Sequence, residues 1–128
     1  MKPGDSAPRI ADYLNHIAEA ARLAREYVAG MSQAEFLKDR RTQQAVVLNL
    51  ITIGEAAARI ANEHKEFAAA HPGMPWSKMR GMRNRMTHGY FDIDLNVVWD
   101  TVQLSLQELE IRVTALLCQI KQSDSLFL

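Results

Sequence analysis

The chain has 128 residues, 48% of them hydrophobic, and its 15 Lys and Arg balance 15 Asp and Glu. That length suits a single domain over residues 1–128, and the apolar fraction allows a packed core without metal or disulfide support. Zero net charge excludes a global electrostatic pull on nucleic acid, so any RNA partner must be held by a local cluster. The single cysteine, Cys118, excludes a disulfide framework within one copy and is expected to be a small buried residue of its apolar run.

The opening MKPGDSAPR lacks the apolar segment of a signal peptide. No apolar run approaches the ~20 residues of a membrane span, so a cytoplasmic protein without a membrane partner is expected. Ser6 before Pro8 suits a helix start. The apolar positions Ile10, Tyr13, Leu14, Ile17, Ala21, Ala24 and Val28 carry that helix to a stop at Gly30. Ser32 and Glu35 form the S-x-x-E capping box of a short second helix. A long helix is predicted from about Arg40 to about His64. Pro72-Gly73-Met74-Pro75 reads as a turn, with Pro75 opening a helix around Trp76 that Gly89 stops. Asp94 is placed to cap a last long helix, from about Leu95 to Lys121. No strand alternation appears, so the fold class is all-α, and residues 1–8 and 122–128 are expected to be flexible ends.

Two of these helices carry more information. The last spaces Trp99, Val102, Leu106, Leu109, Val113, Leu116 and Ile120 alternately by three and four, a seven-residue repeat that packs at a shallow angle. The middle helix has two apolar rows. One is Val46, Leu50, Ile53, Ala57 and Ile60; the other is Val47, Ile51, Gly54 and Ala58. Together they exceed one core seam, and the small residues Gly54, Ala57 and Ala58 allow close helix approach. Either this is the central helix of a four-helix bundle, or it also forms a dimer interface.

The stretch RNRMTHGY, residues 83–90, concentrates polar chemistry. On a helix, Met79, Met82 and Met86 form a core stripe. Arg83 lies at its edge, with a half-buried stem and a head expected to be free. Lys78, Arg80, Arg83 and Arg85 form a basic cluster with no acid between them, the one obvious anion site. His88 is five residues beyond Arg83, about 140° around the helix, whereas Asn84 is four before His88 and can touch it. Arg83 and His88 can therefore share a ligand only if Arg83 reaches around or the site is assembled across two subunits. At the helix C-terminus the dipole favours imidazolium and a neighbouring arginine opposes it, a setting for proton exchange. Histidine beside a phosphate-binding arginine is the minimum for metal-free RNA cleavage. The same residues also read as a plain helix cap, a solvated basic face and, at Tyr90, a packing aromatic. His16, His64 and His71 lack the spacing of a metal pair, so neither metal nor cofactor is expected.

R-x4-H-x-Y resembles the signature of HepT toxins within the HEPN superfamily. The likeness extends to Asp39-Arg40-Arg41-Thr42-Gln43, Ile53-Gly54-Glu55-Ala56-Ala57, Pro75-Trp76, Gly81-Met82-Arg83-Asn84, His88-Gly89-Tyr90-Phe91 and Val98-Trp99, spanning roughly residues 9–121. This resemblance implies a four- or five-helix up-down HEPN bundle and a homodimer with the motif at its cleft. It also implies a metal-independent endoribonuclease of a type VII toxin–antitoxin system. Arg83 and His88 match the catalytic pair, Asn84 the polar residue after the arginine, and Tyr90 the tyrosine adenylylated by a partner MNT-type nucleotidyltransferase antitoxin of the MntA kind.

Glu55 is a carboxylate among apolar neighbours and must pair or stay near water. It either positions Arg83 or Asn84, or pairs with Arg59 four residues on. Lys78, Arg80 and Arg85 are the expected phosphate and RNA contacts. A non-catalytic nucleotide- or RNA-binding HEPN module is the alternative; it needs the arginines but no titratable His88 beside them.

Overall fold

The computed structural model describes residues 9–126, and among these there are seven α-helices and no strand. They are α1 (Ile10–Tyr27), α2 (Gln33–Lys38), α3 (Arg40–Glu63), α4 (Lys65–Ala70), α5 (Trp76–His88), α6 (Leu95–Leu104) and α7 (Leu106–Leu126). A 3₁₀ turn, Tyr90–Asp92, links α5 to α6. The start expected at Ser6–Pro8 lies outside the described residues. Within them, the Arg9 backbone N–H donates to Asp12 Oδ2 at 3.0 Å and fixes the first turn of α1. Gly30 is left-handed, φ +79°, which turns the chain after α1 at little cost for a residue without Cβ.

The predicted capping box is formed: Glu35 N–H donates to Ser32 Oγ at 3.1 Å, and Ser32 N–H to Glu35 Oε1 at 2.9 Å. One turn later Asp39 caps α3, accepting from the Thr42 N–H at 3.0 Å and the Thr42 hydroxyl at 2.8 Å. α3 lies between α1 and α5, and α7 packs on the far side of α1. Leu14, Ile17, Leu50, Ile53, Ile60, Leu106 and Val113 are sealed between these helices. The second apolar row of α3 is largely used inside the chain, with Val47, Gly54 and Ala58 buried. At those positions the central-helix reading is sufficient.

Four expectations need correction. α3 is long and apolar enough to cross a membrane by length and composition, so an apolar run of span length does exist. Its buried residues make it the core helix of this bundle. A short helix, α4, follows the predicted end near His64. It is anchored by Trp76, whose indole N–H is shared by the carbonyls of Ala68 at 3.2 Å and His71 at 3.1 Å. The last predicted helix is two helices that meet at Ser105, and the second runs on to Leu126. Hydrogen bonds flank that junction, from Ser105 N–H to Thr101 O at 3.0 Å and from Leu109 N–H to Ser105 O at 3.1 Å. The heptad core row crosses it, with Val102, Leu106, Leu109, Val113 and Leu116 buried. Finally, Cys118 is exposed. It is 200° around α7 from buried Leu116 and belongs to an outward row with Val97, Leu104 and Ile111, each seven residues apart.

Candidate functional site

α5 carries the site. Pro75 precedes it, and Met79, Met82 and Met86 are buried as the periodicity predicts, so the remaining faces of α5 are fixed in direction. Its distance from α3 is set by Gly54. A Cβ there would collide with Cβ of Arg83 and stand 2.6 Å from the Met79 carbonyl oxygen. Glycine at this point brings the α3 backbone against the base of Arg83.

Arg83 has the half-buried stem expected of it, but its head is not free. The guanidinium Nη1 donates to Glu55 Oε1. The other pairing considered for Glu55 is not formed, because Arg59 bonds Glu63 at 3.3 Å instead. Nε of Arg83 is buried and has no hydrogen-bond partner among the described residues. His88 and Asn84 are exposed and line a groove of about 490 Å³ where the end of α5 meets the start of α6, together with Arg85, Asp92 and Asp94. Arg83 does not line it. The structure thus brings Asn84 and His88 together and sends Arg83 to another side of α5, as spacings of four and five residues require. Gly89 ends the helix without a left-handed turn; its φ is −111° and its N–H donates to the Arg85 carbonyl at 2.9 Å. A Cβ at Gly89 would stand 2.9 Å from that same oxygen, so close approach is what requires glycine here. Tyr90 opens the 3₁₀ turn two residues past His88.

The basic cluster is divided among three directions. Lys78 and Arg85 line a second groove, of about 700 Å³, between α5 and the α6–α7 junction, and Lys78 also borders the space that Arg80 faces. Arg80 faces the turn after α4, and Arg83 faces α3. Among the described residues, Lys78, Arg80 and Arg85 take part in no ion pair, so all three can meet an anion. Sequence spacing does not reveal that Asp92 and Asp94 border the His88 groove, because a turn, not a helix face, places them there.

The family described as Ribonuclease HepT-like matches residues 17–116, all of α5 included. The chain belongs to the ribonuclease HepT-like family. It is 40% identical over 99 residues to a protein of Thermococcus cleftensis named "Probable ribonuclease HepT", covering 77% of this chain and 87% of that one. It is 36% identical over 105 residues to a protein of Caldanaerobacter subterraneus subsp. tengcongensis provisionally named an RNase, covering 82% and 91%. No solved structure matches it at a significant level. For this HepT-like chain the all-α bundle and the family agree. Within one copy, the arginine and histidine of its motif face different spaces.

Proposed function

We infer that this protein is the cytoplasmic ribonuclease toxin of a type VII toxin–antitoxin pair, cutting RNA without a metal ion at a cleft shared by two copies of the chain. The observation that carries this reading is the separation of Arg83 from His88 inside a HepT-like chain. One copy offers a proton-transfer group and a charge-stabilising group in two places, and a second copy can supply what each place lacks. Leu48 and Glu55 are seven residues apart and share a face of α3, so the Arg83–Glu55 pair is on the same side as a groove lined by Leu48, Ile51, Phe91 and Ile93 together with the polar Arg40, Gln43 and Gln44. Leu48 is 64% exposed and Phe91 97%. That surface is the proposed contact between copies.

In the proposed reaction, one His88 takes the proton of a ribose 2′-hydroxyl and the 2′-oxygen bonds to phosphorus. The bond to the 5′-oxygen breaks, and that oxygen takes a proton from the His88 of the second copy. The products are a 2′,3′-cyclic phosphate and a free 5′-hydroxyl. Arg83, held in direction by Glu55, stabilises charge on the non-bridging oxygens, with Asn84 as a further donor. Lys78, Arg80 and Arg85 contact flanking phosphates. Purified protein should cleave RNA in EDTA and leave cyclic ends, and His88→Ala or Arg83→Ala should each lose about 10²-fold or more. Activity that vanishes on chelation and returns with Mg²⁺ would sink the mechanism. The alternative is a non-catalytic RNA-binding module built on Lys78, Arg80 and Arg85, which the absence of ion pairs at these three favours. It predicts RNA binding with no cleavage in the parent protein.

Silencing is proposed at Tyr90, by a nucleotidyltransferase partner of the MNT type. AMP on the phenol would place a phosphate and a bulky nucleoside two residues from His88 and near the basic residues. Co-expression with that partner should add one or more units of ~329 Da at Tyr90, electrostatically akin to phosphorylation. Tyr90→Phe should escape silencing.

A further inference from the structure

The chain spends a glycine in the middle of α5 where the fold has no use for one. Gly81 is helical and lies on a face turned from the methionine stripe. A Cβ built there meets one atom within 4 Å, the flexible end of Arg85, with Nη1 at 3.6 Å. Gly54, by contrast, is forced by packing. Mid-helix glycine lowers helix stability relative to alanine, so a glycine with open space above it has a reason outside the folded chain. Close approach of another molecule's backbone is such a reason.

What surrounds Gly81 identifies that molecule. Gly81 lines the α5/α6–α7 groove with Lys78 below it and Arg85 above it. Lys78 and Arg85 are seven residues apart, on one face and about 10 Å along the axis. Met82, Arg85 and Thr101 also line the His88 groove, so the two grooves, of about 700 and 490 Å³, are neighbours that share these three residues. Along this path lie two cations without ion pairs, a bare stretch of helix between them, and His88 at the end. Arg112 borders the first groove but is already engaged by Glu108, at 2.9 Å, and by the Gly73 carbonyl. The remaining lining is polar at Ser77, Thr101, Ser105 and Glu108 and apolar at Pro75, Met79, Met82, Leu106 and Leu109, without an aromatic ring.

The geometry points to a strand-binding track. Resting on the ribonuclease reading above, we assign the Lys78–Gly81–Arg85 groove as the path by which the backbone of single-stranded RNA runs from the His88 cleft, with Gly81 as its floor. Phosphates sit against Lys78 and Arg85, and the sugar–phosphate chain passes over the glycine. A single strand can turn its 2′-oxygen in line with the departing 5′-oxygen, which a duplex held in A-form geometry resists. Without aromatic platforms for bases, recognition rests on backbone charge, so base preference along the track is weak.

The test uses the full chain and fluorescent oligoribonucleotides of two to eight nucleotides, in binding and in cleavage. The parent should bind the longer strands more tightly and cleave them with lower KM. In Gly81→Leu and in Lys78→Ala that gain from length should disappear. Gly81→Leu should unfold at a temperature equal to or above that of the parent, since leucine favours a helix and its Cβ meets open space. Lys78→Ala should also reduce the slope of log affinity against log salt by about 0.7, the loss of one phosphate contact on a single strand. A Gly81→Leu protein that keeps the full length dependence overturns the track, whatever its stability. So does a length dependence lost only along with the fold. If the parent shows the length-dependent binding, and the variants lose it, but no strand is ever cut, then the track stands and the ribonuclease reading falls.

Discussion

At the scale of single residues, positions 54 and 55 do different work for Arg83. Gly54 lets α5 come close, and an alanine there would press on the Arg83 Cβ and the Met79 carbonyl. Alanine normally favours a helix over glycine by ~1 kcal/mol. Here Gly54→Ala should destabilise by ~1–3 kcal/mol or more through overpacking, readable as a lower denaturant midpoint. An unchanged midpoint would mean that the contact is not tight. Glu55 acts on direction. Its side chain is 46% exposed, so solvent screens the pair and little stability depends on it. Glu55→Ala should therefore hardly move the melting temperature but lower cleavage about tenfold, a loss absent when Arg83 is already alanine. Activity and stability both unchanged would remove Glu55 from the site. The spacing of the motif made the split between Arg83 and His88 legible, because helix geometry is local. That Glu55 takes the arginine was legible only as one of two readings, the other being Arg59: Glu55 is 28 residues from Arg83 in sequence, and the close helix crossing brings it near.

Helix ends follow the same division. Ser32 with Glu35, and Asp94, were read as caps, since a cap depends on neighbours three residues away or fewer; Asp39, just before the predicted start at Arg40, is a further cap that the structure adds. The α4 helix and the break at Ser105 were not readable. The first is tied down by Trp76 from the next helix, and the second interrupts a heptad row that continues across it. The caps also predict acid behaviour. The Thr42 backbone N–H, and then its hydroxyl, hold the Asp39 carboxyl below its ordinary range; the Ser32 backbone N–H, and then its side chain, do the same for Glu35. A carboxyl with a lowered folded pKa adds stability above its unfolded pKa, ~4, and loses it as pH falls through the folded value. Melting temperature should thus fall as pH drops below about 4. Asp39→Asn keeps an acceptor for Thr42 but does not titrate, so its acid slope should be shallower. Equal slopes for the two proteins would show that the cap does not contribute.

For the molecule as a whole, the two apolar rows of the middle helix are almost entirely used inside the chain. Gly54 is consumed by α5 and Ala58 is buried; of the two rows only Ile51 stays part-exposed, and it borders a groove with Leu48, Phe91 and Ile93. Sequence periodicity reports that a face is apolar; it cannot say whether the same chain or a second copy covers it. If a second copy does, light scattering at micromolar concentration should give twice the chain mass. Leu48→Glu should return the monomer and lose cleavage while keeping the helical spectrum. A parent that stays monomeric while cleaving RNA would contradict the shared cleft.

The outward row on α6 and α7 bears on how such experiments are done. The chain holds a single thiol, and it is exposed on α7 and lines neither the two α5 grooves nor the Leu48 surface. Without any engineering, a maleimide spin label at Cys118 would mark each copy once, so a two-fold assembly would report one inter-label distance and a monomer none. The same exposure makes air a hazard. Two copies joined through Cys118 would run as a covalent pair whose mass equals that of the proposed dimer, so only a doubled mass that persists in reductant counts for the shared cleft.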